Sequence, residues 1–325
     1  MTSLLDQLRT LSVVDADTLD VAVAEKFGPF SDCTCNQAIA YGELSKLGPD
    51  GKLFNEQLIL DSIKTAHWMF SKQSDATLEE LAVELMTVAL SLRFAPYLTG
   101  TFHVQTNPKF AFSTKKTAKN AERIYAHFKQ LSPGFDTSRV SIKIPSTYEG
   151  LQACRELEAK GINTLATTVF CMEQVVMAVD AGCKYMSPYV NELRVHFDPD
   201  FIDEKKAFEV CGEAQRYVEA RGANLKLLPA SVTTIQEVME LAGAHHLTLA
   251  PAMLTELAAT PADSYVAAAT VGRIFKAPPP LDAQAVKAVK AAEAAVHDEG
   301  TWRLLFNRSG KKGRKERRRA SWCRR

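Results

Sequence analysis

Short apolar runs alternate with longer amphipathic ones along most of this chain. Eight of the short runs have the alternation or β-branched content of strands: "SVVDAD" (12–17), "FSDCTCN" (30–36), "YLTGTFHVQ" (97–105), "VSIKIP" (140–145), "INTLATTVF" (162–170), "KYMSPYV" (184–190), "LKLLPAS" (225–231) and "HLTLAP" (246–251). Between them, stretches such as "TLEELAVELMTVALSLRF", "TAKNAERIYAHFKQL", "YEGLQACRELEAKG", "MEQVVMAVDAGC", "KKAFEVCGEAQRYVEARG" and "TTIQEVMELAG" place apolar residues at helical spacing. Several of these end at or just before glycine, as helix C-termini do. The insertion after the second strand, "YGELSKLGPDGKLFNEQLILDSIKTAHWMF", holds a helix of its own. Strand–helix alternation implies a parallel sheet. Eight βα units in about 250 residues predict a closed (β/α)8 TIM barrel over an open doubly wound sheet, and the chain has no G-x-G-x-x-G or P-loop.

Composition changes this picture mainly at the end of the chain. Residues 308–325, "RSGKKGRKERRRASWCRR", set ten Lys or Arg against the single Glu316, so the formal charge of +1 conceals a net −8 on the rest. Such a block repels itself, which predicts a single barrel domain over 1–307 and a disordered basic tail over 308–325. The tail is where any nucleic-acid contact, nuclear entry or kinase recognition of Ser321 would arise. No apolar run reaches the roughly 20 residues of a membrane span and the N-terminus lacks a secretory h-region, so the expected compartment is the cytoplasm. Seven scattered cysteines suit a reducing milieu, and Cys33-x-Cys35 lacks the second ligand pair of a zinc site. The seven histidines show no H-x-x-x-H spacing, and no metal or cofactor is expected.

Polar residues collect at the predicted carboxyl ends of the strands, where barrel enzymes place their chemistry: Asp17, Asn36, Gln105, Lys143, Thr167, Ser187 and Ser231. Each has a structural alternative, and Asp17 and Ser231 in particular read as N-caps of the helices that follow them. Lys143 is the most telling. Alternation along "VSIKIP" sends Val140, Ile142 and Ile144 toward the helices, which points Lys143 into the barrel. Burial should lower its proton affinity and leave a neutral amine able to attack a carbonyl.

These residues resemble the transaldolase family of class I Schiff-base enzymes, from about residue 8 to 307. "VVDADTLD" looks like V-V-A-D-T-G-D, "DCTCNQA" is similar to D-A-T-T-N-P-S, and "IKIPSTYEG" is close to I-K-I-A-S-T-W-E-G. "GINTLATTVF", "SPYV", "PASVTTIQEV" and "LTLAPAMLTEL" continue the match in order. The resemblance implies Lys143 as the imine-forming nucleophile, Asp17 as general acid/base, and Thr167 and residue 105 as holders of the catalytic water. It implies Asn36, Ser187, Tyr189 and Ser231 as substrate-binding. A ketose donor, an aldehyde acceptor and a homodimer are in keeping with it.

Departures from the pattern are concentrated in the pocket. Gln105 stands where the family has a glutamate, and Tyr189 where it has phenylalanine, both as in the fructose-6-phosphate aldolase branch. Two phosphate-binding arginines align with Glu192 and Thr233, with Arg194 or Lys226 as candidate substitutes. Gln37-Ala38 and Leu165 are smaller changes. The amphipathic helix expected after "WRLLFN" is replaced by the basic tail. Three functions follow: a transaldolase moving a dihydroxyacetone unit, a class I aldolase using unphosphorylated partners, and a weakened paralogue acting as a binding protein.

Overall fold

The computed structural model describes residues 2–72, 75–265, 267–276 and 283–308. All eight predicted strands form, β4 over its full apolar run and the others over less: β1 Val13–Ala16, β2 Cys33–Thr34, β3 Phe102–Gln105, β4 Val140–Pro145, β5 Asn163–Val169, β6 Tyr185–Pro188, β7 Lys226–Leu227 and β8 His246–Leu249. They pair in parallel in the order β7-β6-β5-β4-β3-β2-β1-β8, a nearly closed (β/α)8 barrel with helices outside. In β4 the alternation is as expected. Val140, Ile142 and Ile144 are fully buried in the apolar layer beneath the helices, with Val104, Ala166 and Met186 from neighbouring strands. Ser141 and Lys143, on the opposite face, are also buried, so the barrel interior carries polar groups along its axis.

Helices appear where the periodicity placed them, including Leu78–Phe94, Thr114–Leu131, Tyr148–Glu158, Met172–Asp180, Phe208–Ala220 and Ile235–Glu240. The insertion contributes Glu56–Phe70. Local chemistry sets several starts: Thr77 and Glu80 form a reciprocal capping box, and Thr147 accepts the Gly150 N–H. The capping alternatives for Asp17 and Ser231 are corrected here. Asp20 caps Val21–Phe27 and Thr234 caps Ile235–Glu240, so both strand-end residues are free of that duty.

Glu299–Arg308 packs against the helices Tyr148–Glu158 and Met172–Asp180, takes in "WRLLFN" and ends on the first residue of the expected tail. Trp302 is buried, donates its indole N–H to the Glu173 carbonyl at 3.3 Å and stacks on Phe306. The missing family helix and the tail concern residues 309–325, which lie outside the described residues. Among the described residues no helix is long and apolar enough to cross a membrane, and all six cysteines are buried and free.

Closure of the barrel depends on a side chain. Among the described residues β7 and β8 share no backbone ladder, and His245, just before β8, accepts the Leu227 N–H on Nδ1 at 3.0 Å. Replacing His245 by Ala strands a buried donor, which costs about 1–3 kcal/mol. Asn can still accept at this position. Chemical denaturation should show H245A less stable than the parent by this amount and H245N intermediate; equal midpoints for H245A and the parent would contradict a closing role.

Candidate active site

The carboxyl ends of β1 to β7 converge on one pocket. Lys143, the fourth residue of β4, is 4 % exposed. It pairs in register with Gln105 of β3 and Leu165 of β5. Its amine lies in the electrostatic field of Tyr189, Asp17, Cys35 and Cys33, which reach it from β6, β1 and β2. Asp17 leaves the end of β1 with its N–H on the Leu249 carbonyl. Its Oδ1 accepts the Thr34 hydroxyl at 2.5 Å, and Thr34 lies 2.7 Å from the Thr248 hydroxyl. Three strands therefore hold that carboxylate in place.

The charge state of Lys143 differs from the expectation. Burial does pull its proton affinity down, as the largest single influence, but Tyr189, Asp17 and the two thiols outweigh it and the net direction is upward from the ordinary lysine value. Burial pushes Cys35 up to about 11 and Cys33 well above its usual range, so neither thiol is an anion near neutral pH. Asp17 is the neighbour that supplies formal charge there. The net direction favours the ammonium form of Lys143, within the field of the Asp17 carboxylate.

The remaining predicted residues surround this pair. Thr167 is fully buried and donates its hydroxyl to the Tyr189 hydroxyl at 3.3 Å, joining β5 to the end of β6. Ser187 is buried on β6, and its hydroxyl has no partner among the described residues. Asn36 is the reverse of Asp17: its Oδ1 caps Gln37–Leu44 through the Ile39 N–H at 2.9 Å, leaving the amide nitrogen for a ligand. The Gln105 side chain is partly exposed. Its main chain is pinned by Gln37, whose Nε2 donates to the Gln105 and Thr106 carbonyls at 3.1 Å each. Strain marks the same rim. Thr168 and Ser231 take left-handed φ values of 58° and 61°, rare for non-glycine residues and concentrated at functional sites.

Comparison with known proteins shows the family of this barrel. Residues 14–303 match the family model described as Transaldolase/Fructose-6-phosphate aldolase. The chain belongs to the transaldolase/fructose-6-phosphate aldolase family. It is 30 % identical over 267 residues to the transaldolase of Nostoc punctiforme, covering 80 % of this chain and 78 % of the relative. It is 28 % identical over 296 residues to transaldolase A of Pasteurella multocida, covering 86 % and 87 %. An enzyme of the transaldolase/aldolase kind is thereby established.

Within this transaldolase-family barrel, Glu192 and Thr233 are both tied into local contacts. Glu192 is 7 % exposed and donates its N–H to Asp203, so it is folded into the wall. Thr233 bonds to Glu237 through both N–H and hydroxyl. Arg194 pairs with Asp198 and covers the Phe201 ring. Lys226 opens β7 at the amino end of the barrel, beside His245 and His246, so it is placed at the wrong end to serve the pocket. Lys206 does approach, but is paired with Glu237 at 2.8 Å.

His196 is the residue that sequence reasoning passed over. It closes a short 3-10 turn after β6, its Nε2 lies 2.9 Å from the Ser231 hydroxyl, and Asp17 and Glu237 both act on it. Desolvation nevertheless lowers its proton affinity, so the ring at the rim is neutral at pH 7. Only the search for metal-ligand spacing touched the histidines, and a lone rim imidazole has no such spacing.

Removing the Asp17 charge leaves desolvation of Lys143 less opposed, so its pKa must fall. Reductive methylation with labelled formaldehyde and an NMR titration should place Lys143 above the ordinary lysine value in the parent and lower in Asp17→Asn. An unchanged titration would show that the two side chains do not interact.

Proposed function

We propose that this enzyme transfers a dihydroxyacetone unit from a ketose to an aldehyde acceptor through an imine on Lys143. The observation that carries the reading is the buried Lys143 amine held inside the barrel within the field of Asp17. In the proposed sequence the neutral amine adds to the donor carbonyl, and loss of water gives a protonated imine. Asp17 then takes the proton of the hydroxyl on the far side of the scissile bond. The C–C bond breaks, an aldehyde leaves, and its bonding electrons enter the imine as an enamine. Addition of the enamine to a second aldehyde, protonation of the new alkoxide by Asp17 and return of the water release the product and the free lysine.

Asn36 and Ser187 are suited to the hydroxyls of the bound three-carbon unit, since each retains an uncommitted hydrogen-bonding group facing the site. Gln105 can orient water but cannot accept its proton. The Thr167–Tyr189 hydroxyl pair offers the alternative path for proton movement during dehydration. Ser231, bonded to His196, would meet the acceptor end.

A second reading, an aldolase using unphosphorylated partners, is favoured by the mouth. Each nearby cation is committed to a carboxylate, Arg194 to Asp198 and Lys206 to Glu237, where phosphate recognition calls for a free guanidinium fork. The reading as a weakened paralogue rests on the tail, and no feature of the pocket supports it.

Product analysis with fructose 6-phosphate and a range of aldehydes tests the proposal. Lys143→Met should lose at least about a thousandfold in turnover, and Asp17→Asn about 10²–10⁴-fold. Thr233→Arg should lower the KM of phosphorylated substrates by about tenfold or more, the scale of one charged hydrogen bond. Transfer to an acceptor with little free dihydroxyacetone supports the transaldolase reading; free release that outruns transfer supports the aldolase. Full activity in Lys143→Met would sink both.

A further inference from the structure

A second polar cluster lies inside the barrel, one inward-facing step below Asp17, about 6–7 Å along the strand. Asp15 of β1, Asp32 just before β2, His103 of β3 and His246 at the start of β8 meet there, from four chain segments. His246 Nδ1 is 2.8 Å from Asp15 Oδ2 and 3.9 Å from Asp32 Oδ2; His103 Nε2 is 3.2 Å from the same Asp32 oxygen. One ligand atom from each of Asp15, Asp32 and His246 falls within a 4.8 Å set, and all three residues are buried. We propose that this floor cluster is a structural site for one divalent transition-metal ion, bound by Asp15, Asp32 and His246, with His103 holding the Asp32 carboxylate from outside.

The donor set and its spacing are the reason. Tetrahedral ligation at 2.0–2.1 Å separates neighbouring donor atoms by about 3.3 Å, within the range of the three distances found. Two carboxylates and one imidazole, with the fourth position left to water, suit a first-row ion of the zinc type, and two carboxylates balance its charge. The Ser141 hydroxyl and His103 Nδ1 are fully buried and lack any hydrogen bond, and these two residues are register neighbours across β3 and β4. Tyr185 sets ring edges against both imidazoles, at 4.4 and 5.7 Å between centroids, and so fixes their planes. Entry is open from the amino end, where the His246 side chain retains 11 % of its exposure and Val13 41 %.

The fold supplies a use for such an ion. β2 has two residues, and its register with β1 is a single pair, Ala16 with Cys33. Apart from the β7–β8 seam, backbone pairing among the described strands is thinnest there. Asp32 already cross-links this seam, receiving the Thr101 N–H at 2.8 Å and giving its own N–H to Asp15 at 2.9 Å. An ion in the cluster joins β1, the residue just before β2 and β8 in one coordination sphere, with β3 attached through the His103–Asp32 contact. Binding displaces the protons shared between imidazole and carboxylate and releases them to solvent.

The test uses the full chain, stripped with chelator and titrated with Zn²⁺ and with Co²⁺. One equivalent should be retained per chain, thermal stability should rise with Zn²⁺ and fall with chelator, and the Co²⁺ form should show tetrahedral visible absorption. His246→Gln and Asp15→Asn should each weaken Zn²⁺ binding at least tenfold, the scale lost even when an outer-shell partner is removed. Borohydride trapping at Lys143 should persist in both variants, which separates this site from the pocket above. A wild-type chain that retains no ion, or one whose stoichiometry and affinity are the same in His246→Gln, overturns the proposal and leaves a hydrogen-bonded network.

Discussion

A primary amine buried in the interior of a barrel has to be compensated, and at Lys143 the electrostatic influence of Tyr189 and of the Asp17 carboxylate meets that requirement. Desolvation alone would expel the proton from Lys143; the acidic side of the pocket reverses the sign. Much of the surrounding structure serves that balance. Thr34 and Thr248 steady the carboxylate, and Asp20 takes over the capping of the next helix, which releases Asp17 for the pocket. The apolar layer under the helices leaves the inner face of β4 as the place where a charge is held.

The barrel was legible because its signals are local and repeated. Each strand is a short apolar run and each helix a periodic one, and Lys143 in "VSIKIP" stands out since alternation fixes where its side chain points. What sequence could not supply was the sign of competing long-range effects. The expectation of a lowered lysine pKa counted burial and missed Tyr189 and Asp17, which arrive from strands distant in sequence. The cap readings of Asp17 and Ser231 failed for a smaller reason: the helices begin a few residues later, at Asp20 and Thr234, and boundaries are the part of a pattern that propensity defines least.

Two groups of residues stayed hidden in the sequence. His196 sits on a short turn whose contact with Ser231 spans two βα units. The floor cluster gathers Asp15, Asp32, His103 and His246 from four separated segments. No spacing rule written along one segment can find such a set, since the ligands are neighbours only once β1 lies beside β8 and β2. The polar interior thus divides by height into a reactive mouth and a cross-linked floor, on the same inward-facing positions of the same strands. In the loops beyond, Arg194 is paired with Asp198 and Lys206 with Glu237.

The central claim is that the Lys143 nitrogen condenses with a ketone. Incubation with dihydroxyacetone and borohydride, followed by mass spectrometry of the digested protein, tests it most directly. The account predicts a single reduced three-carbon adduct, located on the peptide that carries Lys143 and absent without the ketone. An unmodified Lys143, or adducts spread over surface lysines with none at that position, would contradict it.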